Sequence, residues 1–117
     1  MSFNFEELEV YNKAIDFISN IYTLTKNFPK DEMFGLTSRM RRAVVSISSN
    51  ISEGSARTKK DFGRFIDIAR GLVMECVTLL QISVKQHHID GRKYYELRSK
   101  LTELSKMLSG LKKSVNR

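Results

Sequence analysis

The chain has 117 residues, of which 41% are hydrophobic and 28% charged, as is usual for a globular protein with one domain. No apolar run is long enough to cross a membrane, and the acidic N-terminal stretch lacks the basic and apolar pattern of a secretory signal. We therefore expect a single domain, residues 1–117, in the cytoplasm, with the unpaired Cys76 as a small core residue.

The formal net charge is +7, and it is unevenly distributed along the chain. Residues 1–32 contain three basic residues (Lys or Arg) and six acidic ones (Asp or Glu). Residues 33–72 contain eight basic and three acidic residues, and residues 73–117 contain nine basic and four acidic residues. An acidic first third and a basic remainder favour two different surfaces. Binding of a polyanion is one interpretation of the basic surface, and simple solvation is the alternative.

Four segments of the chain have the apolar spacing of amphipathic helices. In chain order they span residues 5–26, 36–53, 59–87 and 92–115, and short stretches rich in turn residues separate them. No segment shows the alternating pattern of a strand. Because short connections favour antiparallel neighbours, the sequence predicts an all-α, up-down four-helix bundle.

The first predicted helix has two adjacent apolar stripes. One stripe consists of Leu8, Tyr11, Ile15, Ile18 and Tyr22, and the second of Val10, Ala14, Phe17, Ile21, Leu24 and Phe28. Together they cover about 160° of the helix, more than the ~100° that contact with one core requires. Either this helix lies unusually deep in its own bundle, or it also contacts another subunit. We expect a homo-oligomer with Phe17 and Ile21 at the interface.

The second predicted helix begins with three arginines, and serines recur along its length. On a helical wheel Arg39 and Arg42 share one edge with serines and Glu53, whereas Arg41 points nearly opposite to Arg39. Cations at a helix N-terminus oppose the helix dipole, which favours an external anionic partner over a merely solvated helix start. Asn50 borders the core side of this helix and should find a hydrogen-bond partner.

Two carboxylates stand at unfavourable positions. Glu75 lies in the apolar stretch LVMECVTLL, and Glu53 lies at the negative end of the second helix. We expect both to have a structural role by pairing with Arg42, Arg57 or Arg70, within or between chains; an exposed, unpaired Glu53 is the alternative.

Catalytic and cofactor-binding patterns are not visible in the sequence. The histidines, His87 and His88, are adjacent and diverge by about 100° on a helix, so they cannot share a metal and are expected at a helix end. The glycines are scattered and form no phosphate-binding loop. We expect no enzymatic activity, no metal and no cofactor.

Three stretches resemble a known family: ELEVYNKAIDFI, FPKDEMFGLTSRMRRAVVSISSNISEG and FGRFIDIARG. They are similar to the four-helix-bundle proteins encoded in intervening sequences of 23S rRNA genes, a family that includes the accessory variability protein of diversity-generating retroelements. The second stretch departs from the family pattern at Ser48, usually proline, and at Ser52, usually alanine. The missing proline puts any family-specific bend of this helix in doubt, though not the fold.

The resemblance implies a barrel-like homopentamer that binds nucleic acid through a basic surface. Our leading hypothesis is a non-enzymatic, oligomeric accessory protein that contacts the RNA or DNA backbone and recognises its shape. The candidate contacts are Arg39, Arg41, Arg42, Arg57, Lys59, Lys60 and Arg64. The alternative is an oligomeric scaffold that binds a protein partner, such as a reverse transcriptase, without a nucleic-acid role of its own.

Overall fold

The computed structural model describes residues 3–116, and within this range the chain forms helices and no strand. The four α-helices are α1 (Glu9–Thr25), α2 (Leu36–Ser55), α3 (Lys59–Lys85) and α4 (Gly91–Val115). Two short 3₁₀ helices, Asn4–Glu7 and Lys30–Glu32, precede α1 and α2. Each α-helix packs against its neighbours in the chain, and α1 also packs against α4. The predicted all-helical bundle of four helices is confirmed.

Local hydrogen bonds explain where the long helices begin and end. The side chains of Thr58 and Asp90 cap α3 and α4 by accepting a hydrogen bond from the backbone N–H three residues on. α3 ends at Lys85, two residues earlier than the sequence predicts, because His87 adopts a left-handed conformation with φ 62°. The following N–H then donates to the Ser83 carbonyl, as in a common helix C-terminal motif.

A single hydrophobic core lies between the four helices. Its most deeply buried side chains include Phe17, Ile21, Met40, Ile47, Ile51, Ile66, Leu80, Leu101 and Leu108. Cys76 lies in this core as predicted, 2% exposed. Burial, together with the nearby charge of Glu75, raises the pKa of the Cys76 thiol to about 12. The thiol is therefore neutral at physiological pH and packs as a small apolar group.

The structure assigns the two stripes of α1 differently from the sequence-based prediction. Phe17 and Ile21 of the second stripe are 2% and 1% exposed, in the core of their own chain. The prediction that they lie at a subunit interface is therefore wrong. The first stripe lies at the rim of the core and leaves Ile15 and Tyr22 partly exposed. The wide apolar arc thus divides into a stripe buried in the core of its own chain and a stripe at the rim, where Ile15 and Tyr22 are 39% and 37% exposed.

α2 and α3 approach each other closely at Gly54, near the C-terminal end of α2. A Cβ atom at Gly54 would lie 2.5 Å from the Cβ of Phe65 and 3.0 Å from the Cδ1 of Phe62. No side chain fits at this distance unless one of the two helices moves. Glycine at position 54 is therefore a packing requirement of the α2–α3 contact.

We expect Gly54→Ala to lower the free energy of unfolding by about 1–3 kcal/mol, because overpacking forces α2 and α3 apart. Gly110→Ala is the matched control, since a Cβ there meets nothing within 4 Å. That control should raise the free energy of unfolding by up to about 1 kcal/mol through helix propensity. Urea denaturation of both variants tests this, and a Gly54→Ala protein as stable as the wild type would contradict it.

His88 joins the connection after α3 to the connection before α2. Its Nε2 lies 2.8 Å from Glu32 Oε2, and its ring packs 5.2 Å from that of Phe28. The hydrogen bond from His88 lowers the pKa of the Glu32 carboxyl, and the Leu36 N–H contributes to the same shift. This contact fastens two connections at the same end of the bundle.

Because the pKa of Glu32 is lowered in the folded state, its ionised carboxylate stabilises the fold at pH values above the ordinary pKa of 4.5. This contribution is lost as the pH falls through the lowered pKa. Glu32→Gln should therefore lower Tm near neutral pH, and the difference from the wild type should vanish in acid. Thermal unfolding followed by circular dichroism across this range measures it. Glu53→Gln, at an exposed position, is the control. A Tm difference that stays constant with pH would mean that ionised Glu32 is not the cause.

Candidate nucleic-acid interface

The three arginines at the start of α2 point in different directions, as the helical wheel predicts. Arg39 Nη2 lies 3.6 Å from Glu75 Oε1 on α3, and the two side chains are 63% and 40% exposed. Arg42 is exposed and forms no ion pair among residues 3–116. Arg42 is therefore the most available cation of the three.

Arg41 has a different environment because it projects toward α1. Its Nε donates to the Thr25 Oγ1 at 2.9 Å, and its guanidinium carbon lies 4.5 Å from the centre of the Tyr22 ring. These contacts hold the guanidinium over an aromatic ring and leave only part of its hydrogen-bonding capacity for a ligand. Arg41 thus both joins α2 to α1 and borders the surface.

Two shallow depressions of about 300 and 350 Å³ adjoin Arg42. The first is lined by Arg39, Arg42, Ala43, Ser46, Leu72 and Glu75, and the second by Tyr22, Arg41, Arg42, Val45 and Ser46. Ser46 is shared by both, and its short side chain leaves room beside the arginines. We call Arg39, Arg41 and Arg42 the α2 arginine group.

The remaining predicted contacts lie at the other end of α2. Lys59 and Lys60 are exposed, the Arg57 guanidinium carbon is 5.5 Å from the centre of the Phe65 ring, and Arg64 pairs with Asp61 at 3.4 Å. From Arg42 to the end of α2 at Ser55 the helix rises by about 20 Å, and Arg57 follows just beyond that end. The seven predicted contacts therefore form two groups.

The structure corrects one of the expected pairings and confirms the hydrogen bond of Asn50. Asn50 Nδ2 donates to the Ser46 carbonyl at 2.8 Å. Glu75 pairs with Arg39, not with any of the three arginines expected from the sequence. Its place on the edge of α3 facing the start of α2 explains this, because the two helices run antiparallel.

The other two residues with an expected structural role have simpler environments. Arg70 pairs with Asp67, one turn earlier on the same helix, at 3.2 Å. Glu53 is exposed and forms no ion pair among residues 3–116, which is the alternative that the sequence left open.

Four serines of α2 form hydrogen bonds within their own helix: Ser48, Ser49, Ser52 and Ser55. Ser48, at the position where the family usually has proline, is 5% exposed and donates to the Val45 carbonyl at 2.8 Å. Ser52 donates to the Ser49 carbonyl at 3.1 Å. These local bonds satisfy four hydroxyls inside an unbroken α2, so these four serines contribute small volume rather than donors directed at a partner.

A third basic region was not predicted from the sequence: Lys85 on α3 lies across a groove from Tyr94, Tyr95 and Arg98 on α4. The adjacent tyrosines followed by an arginine in YYELR were the available signal. The groove itself depends on how α3 and α4 pack.

Between Phe3 and Asn116, no group of three or more His, Cys, Asp or Glu side chains is arranged to hold a metal ion. Within the same range, no helix combines the length and the apolar character needed to span a membrane.

Comparison with known proteins identifies the family. The chain is similar to a crystal structure of a protein of unknown function from the S23 ribosomal protein family of Bacteroides thetaiotaomicron. The TM-score is 0.82 at 24% identity, over 89% of this chain and 95% of the other, which shows a shared fold. Among curated proteins, none matches this chain. The family model described as 23S rRNA-intervening sequence protein matches residues 6–110. The chain therefore belongs to the 23S rRNA-intervening sequence protein family.

Proposed function

We propose that this protein is a non-enzymatic, homo-oligomeric accessory protein that binds the RNA or DNA backbone through α2. The observation that carries the proposal is the α2 arginine group around its two shallow depressions. Arg42 forms no ion pair among residues 3–116, and Glu75 is the one carboxylate in the lining of either depression. Such a surface attracts phosphates without reading bases.

The second basic group extends this surface. Arg57, Lys59 and Lys60 form no ion pair among the described residues, so their charges are available to a polyanion. A backbone that follows α2 from Arg42 to its C-terminal end, about 20 Å, would contact both groups. The net charge of +7 strengthens the attraction over longer distances.

For the oligomer we propose that the outer face of α3 makes the subunit contact. Ile68 and Met74 are 52% and 54% exposed, and Gly71 lies on the same helix face between them. Large apolar side chains around a glycine allow a second helix to approach closely. The family resemblance supports five subunits.

A scaffold that binds a protein partner is the second candidate. Glu6, Glu7, Glu9 and Asp16 are exposed at the acidic start of the chain, which favours a basic protein surface as the partner. The family resemblance makes a reverse transcriptase one example of such a partner.

The double variant Arg39→Gln/Arg42→Gln should weaken binding to unrelated nucleic-acid sequences alike, because backbone contacts carry no sequence information. The slope of log K against log salt should become shallower by about 0.9 for each lost contact with duplex DNA and by about 0.7 for single strands. Fluorescence anisotropy at several salt concentrations measures both. Arg41 is left unchanged because its contacts with Thr25 and Tyr22 make it part of the fold.

Lys106→Gln/Lys113→Gln is the matched control, with the same change in net charge at two exposed positions of α4. Equal weakening by both double variants would show that only net charge matters, and the α2 assignment would be wrong. Binding by both variants as strong as that of the wild type would instead favour the scaffold function.

Gly71→Glu should convert the oligomer to smaller species without loss of helix content. A Cβ at Gly71 meets nothing within 4 Å in its own chain, so the change adds bulk and charge to an open face that a partner subunit would cover. Gly110→Glu is the control, since that position is equally open on α4. Light scattering coupled to size exclusion measures the mass. A Gly71→Glu protein with wild-type mass would exclude this face, and a monomeric wild type would contradict the oligomer itself.

A further inference from the structure

A groove of about 700 Å³ lies between the C-terminal part of α3 and the first two turns of α4. Its walls include Gln81, Ile82 and Lys85 from α3 and Tyr94, Tyr95 and Arg98 from α4. This volume is within the range of small-molecule sites in proteins, about 300–1,000 Å³. The groove shares no lining residue with the depressions beside the α2 arginine group.

The polar side chains of the groove are held in place by Tyr94. This tyrosine is 7% exposed, and its hydroxyl accepts hydrogen bonds from Gln81 Nε2 at 3.0 Å and from Arg98 Nη1 at 3.2 Å. The Arg98 guanidinium carbon also lies 5.9 Å from the centre of the Tyr94 ring. The amide oxygen of Gln81 and the other N–H groups of Arg98 stay available to a ligand.

Tyr95 offers an aromatic surface at the edge of the groove. It is 66% exposed and meets the ring of Tyr94 edge-on, with centroids 5.0 Å apart and an interplanar angle of 71°. Ile82, 39% exposed, adds apolar surface on the α3 side. An exposed tyrosine face beside an apolar wall suits a planar ring, since every nucleobase has a face that can stack.

The positive charge of the groove lining favours an anionic ligand. Lys85 and Arg98 belong to its lining, which contains no carboxylate, and neither cation forms an ion pair among residues 3–116. The carboxylate of Asp90, next in sequence to the lining residue Gly91, accepts the hydrogen bond from the Lys93 N–H at 2.8 Å as the cap of α4.

We propose that this groove binds one nucleotide of a single-stranded nucleic acid, with its base stacked on Tyr95 and its phosphate held by Lys85 and Arg98. The inference rests on the proposed nucleic-acid function and adds a second site and a preference for unpaired bases. A base inside a duplex is stacked on both faces and cannot reach Tyr95, so this site contributes to single strands alone.

Tyr95→Ala should lower the affinity for a fluorescein-labelled ten-nucleotide oligoadenylate by about fivefold to a hundredfold, the range found when a stacking aromatic is removed. Tyr95→Phe should retain wild-type affinity because it keeps the ring. Affinity for a blunt duplex of the same length should not change in either variant. Tyr95 is exposed, so neither change disturbs the core.

Gly91→Leu is an independent test, because the substitution narrows the groove. Gly91 lines the groove, and a Cβ there meets nothing within 4 Å, so a leucine adds bulk at the groove without a clash at its Cβ. It should lower affinity for the oligoadenylate and leave duplex binding unchanged. Gly110→Leu, at an equally open position of α4 outside the groove, should change neither.

The outcomes separate this inference from the proposed function of α2. Wild-type affinity for the oligoadenylate in both Tyr95→Ala and Gly91→Leu would overturn the groove site, whatever the α2 arginine group does. Weakening by these two variants, with no effect of Arg39→Gln/Arg42→Gln, would support the groove and overturn the α2 assignment. A wild-type protein without affinity for the oligoadenylate would also overturn the nucleotide site. A protein segment would then be the remaining candidate for the groove.

Discussion

The close packing of α2 against α3 at Gly54 determines the arrangement of the basic surface. Because a Cβ at Gly54 would lie 2.5 Å from the Phe65 Cβ, these helices can meet closely only where one of them has no side chain. The antiparallel course from that contact places the start of α2 beside the middle of α3. Glu75 therefore meets Arg39, and Leu72 forms a wall of the depression next to Arg42.

Short side chains keep the surface of the bundle accessible at three places. Ser46 lies between the arginines of α2, Gly71 lies between two exposed apolar residues of α3, and Gly91 lies in the groove at the start of α4. Each leaves space that a larger residue would fill. A bundle with its core completed by buried side chains has no folding requirement for such openings on its outside, which is why we associate them with partners.

Ion pairing divides the cations of this protein into two kinds. Lys13, Arg70 and Lys112 each pair with a carboxylate; Lys13 thereby joins α1 to α4, and Lys112 joins α4 to α3. These pairs lower the pKa of the carboxyls Glu103 and Asp67, chiefly through the lysine hydrogen bonds. Arg42 and Arg98 have no such carboxylate among the described residues, and both lie beside depressions. Their positive charge is therefore available to bind another molecule.

The sequence by itself determined the helices, since apolar spacing and turn residues are local properties. It also predicted that Cys76 is buried and that Asn50 has a hydrogen-bond partner, because each prediction depends only on the residue's position in its own helix. It could not decide which stripe of α1 faces the core, because that depends on where α2 and α4 lie. The partner of Glu75 and the groove beside Tyr95 were equally inaccessible, since each joins residues from two helices. Contacts between helices depend on their relative rotation and separation, which only tertiary packing establishes.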